Sequence, residues 1–102
     1  MFEDPGCAWC HRWHAEIGPV YPLTDEGRKA PLRRVLVKDW HSAGVQLDRP
    51  VTVTPTFVLV LEGREVGRII GYAGEDVFYG LLGDLLKRLP ANQVRRGQNS
   101  CG

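Results

Sequence analysis

The chain has no long apolar run, no surplus of either charge, three cysteines and a single methionine. Its longest apolar stretch, Phe57 to Leu61, is far too short to cross a bilayer, so no membrane span is expected and the stretch reads as a buried strand. Thirteen basic and twelve acidic side chains leave a net charge of +1, which removes the electrostatic argument for nucleic acid or an anionic membrane as partner. Met1-Phe2-Glu3-Asp4 has neither the basic region nor the apolar core of a signal peptide, so none is expected in this chain. Chemistry beginning only seven residues in suggests a trimmed mature form. The cysteines are too few, and two lie too close together, for a disulfide-built mini-protein; they look chemical rather than structural. What remains is ordinary globular composition over 102 residues, enough for one compact core and not two.

Met1 to Glu3 can form only the end of a strand, which Asp4-Pro5-Gly6 breaks. From Cys7 the spacing turns helical, with Cys10, Trp13 and Ile17 on one face, until Gly18 and Pro19 end it. A short helical turn is expected from Thr24 to Lys29, capped by Thr24. Arg33 to Asp39 reads as a second strand, and Trp40 to Pro50 as a short helix and loop. Phe57 to Leu61 reads as a strand covered on both faces. Glu62-Gly63 turns the chain into a partner strand, Glu65 to Ile70. Val77, Phe78, Leu81, Leu82, Leu85 and Leu89 then repeat at helical spacing up to Pro90. The order β-α-β-α-β-β-α predicts an α/β domain over residues 1–90, a four-stranded mixed sheet flanked by helices. Residues 91–102 are polar, carry Arg95-Arg96, and are expected to form a mobile tail.

Cys7-Ala8-Trp9-Cys10 opens a helix directly after a strand remnant and a Pro-Gly break. A helix N-terminus presents unpaired N–H groups and partial positive charge, which favour an anion. In such motifs a thiol pKa falls from about 8.5 to roughly 3.5–7.5. Cys7 is therefore the expected attacking thiolate. Cys10, one turn further in and nearer the core, is the expected resolving thiol. Trp9, between them, is expected to lie on the surface as part of a partner-binding patch.

Thr54-Pro55-Thr56 stands immediately before the most apolar strand, where a proline has no ladder donor to lose only at an edge or a strand's beginning. With the cysteine pair upstream and the hairpin downstream, the chain resembles the thioredoxin superfamily from Phe2 to about Leu89. The resemblance implies that Pro55 is a cis-proline packed against the cysteine pair, that Thr54 offers free backbone to an extended partner strand, and that Gly71 lets the partner approach. Pro-Gly-Cys-Ala-Trp-Cys-His-Arg-Trp-His is most similar to the small periplasmic thioredoxins of bacterial sulfur-oxidation gene clusters, the SoxS type. That likeness implies a periplasmic, cofactor-free protein disulfide reductase. Its partners would be the sulfur-carrier protein of thiosulfate oxidation and an upstream thiol electron donor, and a monomer is expected. The pattern also departs from ordinary thioredoxins. The Trp before the first cysteine and the Gly-Pro between the pair are missing, and Met1 stands where a buried aspartate would accept the proton of Cys10. Glu16, Lys38 and a water are the remaining candidates for that proton.

Other chemistries fit the same residues. Direction is one: a more strongly stabilised Cys7 thiolate would make an oxidant or isomerase. Cys7, Cys10, His11 and His14 fall on one side of a helix. Cys7 to His11 also spells the C-x-x-C-H haem attachment motif, although Met1 is the only methionine available as a distal ligand. Zinc would suit two thiolates and two imidazoles, although one helix wraps four ligands around an ion poorly. No dedicated metal site is expected. His11, one turn after Cys7, is the candidate modulator of its thiolate. Cys101 reads as an exposed tail thiol, and His41 has no evident role.

Overall fold

The computed structural model describes residues 1–90; Arg95-Arg96, Cys101 and the expected tail lie outside the described residues. Strand β1 is only Phe2–Glu3. Helix α1 spans Ala8–Glu16, a 3₁₀ turn covers Tyr21–Leu23, and α2 spans Asp25–Lys29 behind its Thr24 cap, whose hydroxyl accepts from the Gly27 N–H. Strand β2 is Val35–Leu36, followed by a kinked 3₁₀ stretch, Val37–Ser42. The hairpin strands are β3, Thr56–Leu61, and β4, Arg64–Ile70, and the last helix is α3, Glu75–Leu86. The sheet order is β2-β1-β3-β4, with β1 and β2 parallel and the other pairs antiparallel. The mixed four-stranded sheet flanked by helices is as expected, and the Glu62-Gly63 turn has both residues at positive φ, the geometry that suits a two-residue hairpin.

Alternation along β3 divides the core. Phe57 and Leu59 face α1 and α3, where they meet Cys10, Trp13, Ile17, Phe78, Leu82 and Leu85. Trp13 and Phe78 lie at the centre of this cluster, each within 6 Å of Phe57. Val58 faces the opposite side and packs on Phe2, Ala43 and Val51, with Val37 and Trp40 of the 3₁₀ stretch.

Three expectations need correction. The second strand does not run from Arg33 to Asp39. It pairs only at Phe2–Val35 and Glu3–Leu36, because Asp4-Pro5-Gly6 turns its sole neighbour away and leaves Val37 onward without a ladder. Strand β3 is not covered throughout; Val60, beyond a register shift in the hairpin, is exposed. Helix α3 ends at Leu86 rather than at Pro90. Its last turn tightens into i→i−3 bonds, Arg88 to Leu85 and Leu89 to Leu86, as the chain approaches a proline that disfavours α geometry before it. Val77 and Leu81, counted in its apolar stripe, are exposed.

Candidate active site

Asp4 turns the chain out of β1. Its carbonyl accepts from the Cys7 N–H at 3.0 Å and its carboxylate from the Gly6 N–H at 2.9 Å. Cys7 is thereby placed as the N-cap of α1, with extended backbone, and its sulfur accepts from the Cys10 N–H at 3.1 Å. No acidic side chain occupies the first helical turn. A thiolate at Cys7 would therefore meet an N–H donor and the helix N-terminus with no adjacent acidic residue from that turn. Cys7 and Cys10 are joined in a disulfide with Cα atoms 5.2 Å apart. Of the two, Cys10 has no solvent exposure and Cys7 retains a little, so the outer sulfur is the one a partner can reach.

The strand register brings the other candidates to the same end of the sheet. Thr56 pairs with both Phe2 and Ile70, so Pro55 and Gly71, one step beyond, lie beside the point where β1 leads into the cysteine loop. The Thr54–Pro55 bond is cis, Pro55 is fully buried, and the Gly71 N–H donates to the Pro55 carbonyl at 2.7 Å. Gly71 has φ +86°, a conformation that side chains rarely adopt, and open space where a Cβ would stand. Trp9 is 53 % exposed, a surface and not a core residue, with the Arg12 guanidinium 5.6 Å from its ring centroid. A concavity of about 1110 Å³, lined by residues such as Tyr21, Ala30 and Leu82, lies elsewhere and includes neither cysteine.

His11 is exposed, and the Cys7 sulfur accepts from the Cys10 N–H. His14 turns to β1, where its Nε2 lies 2.8 Å from Glu3 Oε1. Among the described residues no three His, Cys, Asp or Glu side chains converge as a metal site. The donor set proposed for zinc is dispersed. Haem attachment would need the two sulfurs that are here bonded to each other.

Two carboxylates of this region are held by hydrogen bonds. Glu16 is engaged at the helix surface, accepting from the Tyr72 hydroxyl and, at 3.0 Å, from Arg12 Nε. Those two bonds hold its carboxyl below the usual range. Burial, and then the bond to Glu16, pushes the Tyr72 hydroxyl up to about 12. Lys38 is exposed on the 3₁₀ stretch. The buried acid that sequence reasoning missed is Glu3, which faces the same side of β1 as Met1. Burial pushes its carboxyl up, but hydrogen bonds from Arg34 and His14 outweigh that and lower it overall. Two-residue alternation from Met1 and four-residue spacing from Cys10 to His14 were the available signals.

No family model and no curated protein matches the chain. Among solved structures, the crystal structure of the periplasmic thioredoxin SoxS from Paracoccus pantotrophus, in its reduced form, superposes with a TM-score of 0.83 at 55 % identity, covering 86 % of this chain and 93 % of that one. A likeness of that extent, with a cysteine pair at disulfide distance on a helix N-terminus, is decisive: the chain belongs to the thioredoxin superfamily, in its SoxS type, and is a thiol–disulfide oxidoreductase.

Proposed function

We propose that the reduced Cys7–Cys10 pair reduces disulfides of a protein partner in the periplasm, and that this partner is the sulfur-carrier protein of thiosulfate oxidation. The observation that carries the reading is the position of Cys7, the more exposed cysteine of the bonded pair, at the N-cap of α1. The periplasmic SoxS relative supports the compartment.

The Cys7 thiolate attacks one sulfur of the partner disulfide; the other leaves as a thiolate and is protonated. Cys10 then loses its proton and attacks the Cys7 sulfur. The mixed disulfide breaks, the partner's second thiolate leaves, and the Cys7–Cys10 disulfide forms. Two electrons pass to the partner, and an upstream thiol donor restores the pair. The partner segment lies as an extended strand across the backbone of Thr54 beside Pro55, with Trp9 and Gly71 on either side.

Thiol counting after equilibration with glutathione or dithiothreitol gives the potential. A value near −270 mV, about that of thioredoxin, supports the reductase; one near −120 mV indicates an oxidant and overturns it. With the carrier protein as substrate, Cys7→Ser should abolish turnover and Cys10→Ser should trap a mixed disulfide visible by mass spectrometry. Full turnover in Cys7→Ser would refute the mechanism.

A further inference from the structure

One chain of contacts crosses the surface beside the cysteines and has no part in the exchange chemistry. The Trp9 ring lies under the Arg12 guanidinium, 5.6 Å away. Arg12 Nε donates to Glu16 Oε2 at 3.0 Å, and the other oxygen, Glu16 Oε1, accepts from the hydroxyl of Tyr72. Tyr72 follows Gly71, whose N–H is bound to the Pro55 carbonyl. Glu16 and Tyr72 are 56 residues apart in sequence. Their bond is a polar link between the helix that carries the cysteines and the turn that leaves β4.

We infer that Glu16 is a positioning residue for partner recognition, bracing the two walls of the groove, Arg12–Trp9 on α1 and Gly71–Tyr72 beyond β4, so that a protein disulfide meets a preformed surface. The role rests on the protein-reductase reading above. The turn at Gly71, with its positive φ, is held by the backbone bond to Pro55 and by the Tyr72 ring buried in the core. The Tyr72–Glu16 bond adds a polar restraint that ties the turn to α1. Without it, a partner must order more of this surface on binding, and such ordering costs are charged to affinity rather than to bond exchange. Arg12, bonded to Glu16, has its guanidinium over the Trp9 ring. A small disulfide that touches only the Cys7 sulfur does not use either wall.

Steady-state reduction of a protein disulfide, insulin, and of a small one, hydroxyethyl disulfide, separates the alternatives. Tyr72→Phe deletes one hydroxyl and keeps the buried ring. It should raise KM for insulin about five- to tenfold with kcat within about twofold. Glu16→Ala, which cuts both arms, should raise it at least as much. Glu16→Gln keeps an acceptor for Tyr72 and should recover part of the loss. In Tyr72→Phe and Glu16→Ala, kcat/KM for insulin should fall at least about fivefold further than the rate with hydroxyethyl disulfide. Equal losses on both substrates, or a loss confined to kcat, would overturn the groove role while leaving the reductase reading in place. A wild-type protein that reduces only hydroxyethyl disulfide would overturn both.

Discussion

Two buried carboxylates, Glu65 and Glu3, each sit on a strand and each pair with an arginine, yet they are built differently. Glu65 and Arg68 lie three residues apart on β4, with side chains 1 % and 6 % exposed. Arg68 grips Glu65 through Nε at 2.6 Å and Nη2 at 2.7 Å. Its remaining N–H groups reach the carbonyls of Arg49 and Pro50, and Glu65 also accepts from the Asp48 N–H. The network is closed, and it ties down the segment that leads to the cis Thr54–Pro55 bond. Glu3, by contrast, is held by Arg34, whose side chain is 62 % exposed, and by a half-buried histidine. That network is open to water and can be rearranged one donor at a time. The difference teaches that the same pair of residue types can serve as a rivet at one site and as an adjustable joint at another.

The largest effect should come from breaking the rivet. Arg68→Ala leaves Glu65 buried without its cation and should cost about 3–5 kcal/mol in chemical denaturation. Replacing both partners, Glu65→Leu with Arg68→Met, should cost much less than the single change, because no buried charge is orphaned. A double variant as unstable as Arg68→Ala would mean that the ties to Arg49 and Pro50, not the ion pair, carry the stability.

Next in size is Glu3→Gln, expected to cost about 1–3 kcal/mol at pH 7. The sign with pH follows from both carboxyls being lowered in the folded state, Glu65 chiefly by Arg68 and Glu3 by Arg34 and His14 against its burial. Their contribution is fully present above the unfolded carboxylate value, about 4.3, and is lost as pH falls through the lower folded values. Denaturation midpoints at pH 7 and pH 3 should therefore differ less in Glu3→Gln than in the wild type. An unchanged difference would remove Glu3 from the acid response. The smallest effect is Arg34→Ala, at most about 1 kcal/mol, since an exposed arginine is screened by water. Measured beside Arg68→Ala, it sets the scale of the contrast.

These networks were the least legible part of the chain. Cys7, Cys10, Pro55 and the Glu62-Gly63 turn could be read because each is a local signal: a spacing, a backbone constraint, a turn dipeptide. The buried face of α1 was equally plain from periodicity. Strand β2 was overread because its length depends on where β1 turns away, a fact held 30 residues upstream. Tyr72 with Glu16, and Arg68 with Arg49 and Pro50, join positions that share no pattern in sequence. Only the hairpin and helix packing bring them together.

The outer borders of the sheet carry a last consequence. Strand β2 offers only two residues at one border. At the other, Gln46 already bridges β4, donating to the Gly63 carbonyl and accepting from the Glu65 N–H. An open strand border is a template for aggregation. Here one border is too short to template and the other is partly capped. Self-association through the sheet is thereby discouraged.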